Sequence, residues 1–317
     1  MSKGKIVCVV GPTACGKTTL GIALAKKFNG EVVSCDSMQI YRGMEIGTAA
    51  PTKEEMDGIP HHMVGIADPS ESYSVARFVE TATACVDDIL SRGKLPIIVG
   101  GTGLYLDALV AGRSFAKGDG ESEIRQKLKA RVQQEGIEAL HKELAQIDPP
   151  SAARLHLSDE KRILRALEIY YETGQTMTEH DEESRKLPPR YDAVYIGLSF
   201  EDRADLRALI DRRVDLMMQQ GLVEEVKRLL SDNVSRETTA LQAIGYKELL
   251  SSLDGERSME EAVEEVKLRS RQYAKRQLTW LRRNQAIHWI LWKKERDFSH
   301  ALQVSTEILA AEGLRYS

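Results

Sequence analysis

Short apolar runs alternate with helical patterns along the first third of the chain. The apolar runs cover residues 6–10, 31–37 and 95–99. Between the second and the third run, residues 74–91 carry apolar side chains at helical spacing, namely Val75, Phe78, Val79, Ala82, Val86 and Ile89. Strands that alternate with helices favour an α/β fold, in which right-handed crossovers build a parallel sheet.

The composition changes near residue 116. A polar, glycine-containing hinge at 117–122 precedes helical segments rich in Lys, Arg and Glu, and a Leu-Pro-Pro-Arg stretch at 187–190 ends them. Residues 193–198 then predict a strand that returns to the sheet. The predicted organisation is therefore a core that is interrupted once, with segments 1–117 (core), 118–190 (helical insertion) and 191–317 (core).

The last part of the chain predicts further helices and a final strand. Residues 199–202 resemble a capping box that would start a helix running towards Gly221. A long helix is predicted over 259–284, and an apolar run at 287–291 follows it as a last strand.

Composition narrows the class of protein. No run approaches the roughly 18 apolar residues of a membrane span, and the chain enters its first strand without room for a signal peptide. The four cysteines include no Cys-x-x-Cys pair, which argues against a zinc site or a disulfide framework. We therefore expect a cytoplasmic protein with no membrane partner. A net charge of −4 argues against a uniformly basic nucleic-acid binder but allows a local basic patch.

A phosphate-loop pattern lies between the first predicted strand and a helical pattern, which is the setting that this motif requires. Its glycines let backbone N–H groups turn towards a phosphate, and the helix N-terminus adds partial positive charge. Lys17 can reach a terminal phosphate, and the Thr18 hydroxyl suits a phosphate-bound Mg²⁺. The motif predicts a P-loop NTPase-like core that binds a di- or triphosphate through Gly11, Pro12, Thr13, Ala14, Cys15, Gly16, Lys17 and Thr18.

Two further candidates follow neighbouring strands. Asp36 ends the second apolar run, and a Gly-Gly-Thr-Gly turn at 100–103 follows the third. Ligands gather at the carboxyl ends of parallel strands, so both should share a rim with the phosphate loop. Asp36 is either a metal-holding carboxylate or a general base, and its spacing leaves both open. Because the third run ends in glycines, Asp36 is expected to be the only acidic group close to the loop.

A late basic stretch at 267–283 contains seven Lys or Arg residues and no acidic residue. On a helix, one stripe of Val266, Tyr273 and Trp280 would be flanked by Arg269, Arg276 and Arg283. Such a charge run is commonly a solvated face, and the aromatic side chains can be core. The alternative is contact with the phosphodiester backbone of RNA or DNA. A smaller basic cluster (Lys161, Arg162, Arg165) lies in the insertion, and the His61-His62 pair is interpreted as ordinary histidines.

Taken together, these motifs resemble the bacterial tRNA dimethylallyltransferase family, also called the IPP transferase family. The matching stretches run from residue 5 to about residue 289 and include 11–18, 36–49, 100–105, 162–168, 244–248 and 271–280. The stretch at 36–49 is far more specific than a phosphate loop. Cys15 stands where the family usually has Ser, and its backbone N–H can still face a phosphate.

The resemblance implies transfer of a dimethylallyl group from dimethylallyl diphosphate to the N6 amine of the adenosine 3′-adjacent to the tRNA anticodon, with release of diphosphate. It implies that Asp36 takes the amine proton and that Thr102 lies where donor and adenine meet. Arg213, chosen over Arg212 by the family match alone, would hold the diphosphate together with Thr13, Lys17 and Thr18. Mg²⁺ is the implied cofactor, with Thr18 as its protein ligand.

The resemblance also implies a monomer that grips the anticodon stem-loop of tRNA. The implied contacts are Asp36, Ser37, Met38, Gln39, Lys161, Arg162, Ile163, Leu164, Arg165, Gln242, Gly245, Tyr246, Lys247, Arg269, Arg276 and Arg283. Two other functions fit the phosphate loop: a small-molecule kinase that uses ATP, and a nucleotide-switched RNA-binding protein without group transfer.

Overall fold

The computed structural model describes residues 3–113, 122–186 and 188–315. In these residues, six parallel strands form one sheet in the order β3-β2-β4-β1-β5-β6. Residues 6–10 at the centre are almost fully buried, because helices cover both faces of the sheet. The predicted parallel α/β core is confirmed. The strands are β1 (Lys5–Val10), β2 (Gly30–Cys35), β3 (His61–His62), β4 (Leu95–Gly100), β5 (Asp192–Phe200) and β6 (Ile287–Trp292).

The chain divides into two compact units, one comprising Met1–Gly112 with Arg190–Ser317 and the other comprising Arg113–Pro189. Most of the hinge expected at 117–122 lies outside the described residues. The helices of the first unit are α1 (Lys17–Lys27), α2 (Glu45–Thr48), α3 (Lys53–Met56), α4 (Val75–Ser91), α5 (Gly103–Ala111), α11 (Arg203–Gln219), α12 (Leu222–Ser231), α13 (Tyr246–Leu253), α14 (Met259–Leu281) and α15 (Phe298–Ala311).

The second unit is helical and has its own apolar core. Its helices are α6 (Glu123–Glu135), α7 (Ile137–Ile147), α8 (Pro149–Arg154), α9 (Glu160–Thr173) and α10 (Met177–Lys186). Leu140 and Leu144 of α7 pack with Ile163 and Leu167 of α9, and all four are completely buried. Burial of these leucine and isoleucine side chains stabilises the unit by about 1.5–3 kcal/mol each.

The capping box predicted at 199–202 is wrong. Ser199 and Phe200 still belong to β5 and pair with Leu291 and Trp292 of β6. The N-cap of α11 is Asp202 instead, whose carboxylate accepts the N–H of Ala204 at 2.7 Å. Strand pairing with β6, which no local pattern announces, therefore overrides the local capping preference.

The predicted histidine pair forms the short edge strand β3, which the sequence pattern missed. His62 Nε2 lies 2.8 Å from the Glu31 carboxylate, which also receives Arg92 at 2.5 and 2.8 Å and Lys94 at 2.7 Å. Glu31 is almost fully buried. The bonded Arg92 guanidinium, followed by the hydrogen bonds from Lys94 and His62, holds the pKa of Glu31 well below its ordinary value. This cluster ties β2 to β3 and to the end of α4.

Candidate active site

The phosphate loop connects β1 to α1, as its motif predicted. Gly16 begins the helix with φ +90° and brings no side chain to cap the first N–H groups of α1. A Cβ at Gly16 would also lie 2.7 Å from the Phe298 ring, so only glycine fits here. The indole N–H of Trp292 donates to the Cys15 carbonyl at 2.9 Å and holds the loop from behind. The uncapped N-terminus of α1 is thus free to bind an anion.

The departure at Cys15 leaves the loop intact. The Cys15 side chain is completely buried, and burial raises the pKa of its thiol. The thiol is therefore neutral and packs as a small apolar group among the core residues under the loop. A hydroxyl is not needed at this position because the side chain points into the core.

Two cations meet beside the loop. Burial lowers the pKa of Lys17, and the positive charge of Arg213 acts in the same direction. Burial also lowers the pKa of Arg213, while the Asp36 carboxylate acts against that shift. Lys17 Nζ donates to the Pro12 carbonyl at 2.7 Å, which is a neutral partner. An anion bound here would compensate two partly desolvated positive charges. A diphosphate carries the negative charge that can do this.

Asp36 lies directly after β2, at the rim where the loop also lies. Its Oδ1 accepts the backbone N–H groups of Met38 at 2.9 Å and Gln39 at 3.4 Å, which fixes the carboxylate on its own turn. Within the described ranges, no hydrogen bond occupies Oδ2. The sequence predicted that Asp36 would be the only acidic group close to the loop. The carboxylate of exposed Glu55 also acts to raise the pKa of Arg213, so Asp36 is not the only acidic group in electrostatic range of that arginine.

The Gly-Gly-Thr-Gly turn brings Thr102 to Asp36. The Thr102 N–H donates to the Cys35 carbonyl at 3.4 Å, and the Ser37 N–H donates to the Thr102 hydroxyl at 3.4 Å. Tyr273 of α14 lies close to Thr102, and burial raises the pKa of Tyr273 to about 12. Two hydrogen bonds to residues 35 and 37 therefore hold Thr102 beside the strand end that carries Asp36.

A cavity of about 280 Å³ opens at this rim. Thr13 of the loop, Asp36 and Arg213 line it together, whereas Arg212 is exposed and lies outside its lining. Apolar side chains form much of the remaining wall, namely Ile210, Val214, Met217, Ala243, Ile244 and Val266. The cavity thus combines Arg213 and a residue of the phosphate loop with apolar side chains, which suits a ligand that carries a diphosphate and a hydrocarbon group.

The segment at 44–49 forms one edge of this cavity, and a buried carboxylate holds it. Glu225 accepts the N–H groups of Ile46 and Gly47 at 2.9 Å each and the Tyr246 hydroxyl at 2.6 Å. A Cβ at Gly47 would lie 2.5 Å from the Tyr246 ring. Sequence reasoning missed Glu225, because its role arises only when α12 packs against α2.

Several residues expected to contact tRNA lie around the same cavity, and others are buried or bonded elsewhere. Gln39 bonds to Ser34 at 2.8 Å and to the Thr48 and Ala49 carbonyls. Tyr246 is fully buried, and Lys247 is exposed. The expected contacts that line the cavity are Asp36, Ser37, Met38, Gln242, Gly245, Tyr246 and Arg276.

The basic stretch on α14 is less free than its sequence suggested. Lys267 pairs with Asp215 at 2.8 Å and with Glu264 at 2.9 Å. Arg271 pairs with Asp211 at 2.5 Å and Arg269 with Glu265 at 2.6 Å. The carboxylates come from the preceding turns of α14 and from α11, so a charge count along 267–283 could not reveal them.

Arg276 and Arg283 behave differently from Arg269. Their guanidinium groups lie over the rings of Tyr273 and Trp280, at 5.7 and 5.2 Å from the ring centroids. Both arginines are exposed, and neither has an ion pair in the part of the chain that the structure describes. Trp280 is 36% exposed, and its N–H donates to Asp107 at 2.8 Å. These two arginines are the cations of the stripe that remain available to a polyanion.

In the helical unit, the basic cluster lies at the start of α9. Lys161 and Arg162 are exposed, and Arg165 pairs with the buried Glu168 at 2.9 Å. Ile163 and Leu164 are buried in the core of this unit. Any contact of this helix with a ligand therefore comes from the charged positions and not from those two side chains.

A parallel sheet with a phosphate loop, a strand-end carboxylate and a cavity lined by Arg213 defines a class: a P-loop NTPase-like α/β enzyme whose substrate carries a diphosphate. Comparison with known proteins narrows it. Residues 39–284 match the family model described as IPP transferase, and residues 4–64 match the one described as isopentenyl transferase. The chain belongs to the IPP transferase family and is a prenyltransferase.

Its relatives match over most of their length. A tRNA dimethylallyltransferase from Caldanaerobacter subterraneus subsp. tengcongensis is 46% identical over 309 residues, which cover 97% of this chain and 98% of that protein. A solved tRNA isopentenylpyrophosphate transferase from Bacillus halodurans superposes with a TM-score of 0.72 at 43% identity, covering 97% and 96%. A eukaryotic dimethylallyltransferase acting on tRNA reaches a TM-score of 0.83 at 31% identity, covering 97% and 80%. These relatives do not favour the kinase interpretation.

Proposed function

We propose that the protein transfers the dimethylallyl group of dimethylallyl diphosphate to the N6 amine of the adenosine 3′-adjacent to the anticodon in tRNA. The observation that carries this proposal is that Thr13, Asp36 and Arg213 line one cavity whose remaining wall is largely apolar. The donor's diphosphate matches Arg213 and the phosphate loop, and its five-carbon group matches the apolar side chains.

The diphosphate is the leaving group and is held by the loop. Lys17, the first N–H groups of α1 and Arg213 supply positive charge where negative charge develops as the carbon–oxygen bond breaks. Donors fixed in advance are worth most in such a site, because they need no reorganisation during the reaction. Thr13 and Thr18 add hydroxyl groups to the same cradle.

The acceptor amine loses a proton as the new carbon–nitrogen bond forms. Oδ1 of Asp36 is held by two backbone N–H groups. Its Oδ2 is the oxygen that we assign to take the amine proton, which makes Asp36 the proposed general base. Thr102 lies beside it and orients the adenine. The atoms balance: nitrogen gains the dimethylallyl carbon and loses a proton to Asp36, while diphosphate leaves with the electron pair of the broken bond.

Mg²⁺ is the proposed cofactor, and the residues fit an ion held mainly by the substrate. Among the described residues, no cluster of three His, Cys, Asp or Glu side chains could hold a metal ion. Mg²⁺ commonly binds substrate phosphates with one or two protein oxygens and several waters. The Thr18 hydroxyl would supply a protein oxygen, and the bound ion would neutralise charge on the leaving diphosphate.

The acceptor is proposed to be the anticodon stem-loop of tRNA. Arg276 and Arg283 on α14, and Lys161 and Arg162 on α9, are exposed cations suited to its phosphates. The target base must leave its stack to reach a buried donor, which favours an unpaired loop nucleotide.

We place this activity in the cytoplasm and assign it to a monomer. None of the helices in the described ranges has the length and apolar character to cross a membrane.

A double-label experiment separates this function from the kinase. tRNA would be incubated with the protein and a carbon-labelled prenyl donor, and a parallel reaction would contain ATP labelled at the γ-phosphate with a pool of small-molecule acceptors. We expect label from the prenyl donor in tRNA and none moved from ATP. The reverse result would overturn the proposal.

A further inference from the structure

One buried side chain connects the phosphate loop to the long helix α14. Gln277 is only 5% exposed, although glutamine in the middle of a helix usually faces water. Its Oε1 accepts the backbone N–H of Thr13 at 2.9 Å. This N–H belongs to the loop proposed to hold the diphosphate, so the loop is anchored on α14 at one of its own amides.

The face of α14 that carries Gln277 also contacts the Gly-Gly-Thr-Gly turn. Gln277 lies against Gly101, where a Cβ would come within 2.2 Å of its Nε2 and 2.9 Å of the Gly11 carbonyl. Tyr273, one turn earlier, lies close to Thr102. Trp280, one turn later, lies against Gly103, where a Cβ would be 2.1 Å from the ring. Three successive residues of the turn therefore rest on three side chains of one helix face.

These contacts bring together two parts of the site that come from different strands. The donor's diphosphate rests on the loop after β1, while the acceptor amine is oriented beside the turn after β4. The side chain of Gln277 contacts both the phosphate loop, at Thr13, and the turn, at Gly101. Transfer of a carbon between two bound groups needs their alignment, and a misplacement of about 1 Å can lower the rate 10²-fold.

We propose that Gln277 is a positioning residue for the transfer: it holds the phosphate loop and the Gly-Gly-Thr-Gly turn in register, so that the donor's reactive carbon meets the acceptor amine. This inference rests on the proposed function. It assigns Gln277 no contact with either substrate, so its effect is on the chemical step more than on diphosphate binding.

Two substitutions test this role. Gln277→Met keeps the length and volume but removes the oxygen that accepts the Thr13 N–H. Gln277→Glu keeps an accepting oxygen and adds a negative charge near the diphosphate. Leu281→Met, one turn further along α14 and buried to 3% exposure, is the matched control for altered packing in the same helix. Unfolding temperatures of all three establish that the variants are folded.

For Gln277→Met we expect kcat with saturating tRNA and donor to fall about 10²-fold. Its affinity for inorganic pyrophosphate should stay close to that of the wild type. Gln277→Glu should recover part of kcat and raise the KM for the donor. Leu281→Met should retain wild-type rates. This split between kcat and KM is not expected from a general loss of stability.

Three results would overturn the proposal. The first is a wild-type kcat in folded Gln277→Met. The second is an equal loss of pyrophosphate affinity and kcat, which would make Gln277 part of the binding site. The third is a Glu variant as slow as the Met variant at saturating donor. A wild-type protein that binds pyrophosphate but transfers nothing to tRNA would instead refute the proposed function, and the two failures are therefore distinguishable.

Discussion

Asp36→Asn is the substitution that separates the two roles open to this carboxylate. The carbonyl oxygen of Asn can still accept the N–H groups that Asp36 Oδ1 accepts from Met38 and Gln39. The local turn should therefore survive. The amide nitrogen that replaces Oδ2 cannot take a proton, and the negative charge facing Arg213 and Lys17 disappears.

The size of the effect follows from what is lost. Removal of a positioned general base costs about 10²- to 10⁴-fold in rate, or about 2.7 kcal/mol at the lower end. Loss of the negative charge leaves the two cations less compensated, so diphosphate binding should be unchanged or slightly tighter. We expect near-normal binding of donor and tRNA and a turnover at least about 10²-fold lower.

The assay is a single-turnover measurement with both substrates saturating, repeated across a Mg²⁺ titration. A slow chemical step that does not respond to Mg²⁺ supports the general base. If Asp36 mainly holds Mg²⁺, donor binding should weaken and added Mg²⁺ should restore much of the rate. Rescue by the metal would refute the reasoning that Asp36 accepts the proton.

Three further perturbations test other parts of the structure. Lys17→Ala should weaken pyrophosphate binding and abolish turnover, because the loop loses its point charge, and full activity would contradict the loop assignment. Charge reversal at Arg276 and Arg283 should weaken tRNA binding and reduce its salt dependence by about one unit of slope per lost contact. Arg269→Glu is the matched control, because Arg269 is already paired with a carboxylate. It should change the tRNA affinity and its salt dependence less than the reversals at Arg276 and Arg283 do. The depressed pKa of Glu31 means that its charge stabilises the fold above about pH 4.3 and that this contribution is lost as pH falls further. Glu31→Gln should therefore lower the unfolding temperature at pH 7 more than at pH 3, and an equal loss at both would contradict the ion cluster.

The sheet and the phosphate loop could be predicted because local patterns carry them. The apolar runs that became β1 and β4 are nearly continuous, as is typical of strands buried on both faces, and β2 adds only Glu31 and Ser34 to such a run. The motif at 11–18 specifies its own backbone and helix start. β3 could not be predicted in this way, because it is two residues long and is defined only by pairing with β2. The start of α11 failed for the same reason, since β5 continues through Ser199 while it pairs with β6.

In the site, too, the residues that local patterns mark could be predicted, and those defined by contacts between distant segments could not. Asp36 and the turn at 100–103 were found because strand ends are visible in the sequence. The partners of the α14 cations lie partly on α11, and the carboxylate under residues 46–47 comes from α12. Gln277 reaches Thr13 across 264 residues. Such contacts depend on helix packing, which a single sequence does not display.

The proposed function requires that this protein attaches a dimethylallyl group to tRNA. The most direct test is mass spectrometry of nuclease-digested tRNA, taken from an unmodified pool and incubated with the protein, Mg²⁺ and dimethylallyl diphosphate. We predict that one adenosine, in the fragment beside the anticodon, gains a single dimethylallyl group in place of one hydrogen, and that Asp36→Asn protein leaves this fragment nearly unchanged. An unmodified fragment after incubation with folded wild-type protein that binds pyrophosphate would contradict the claim.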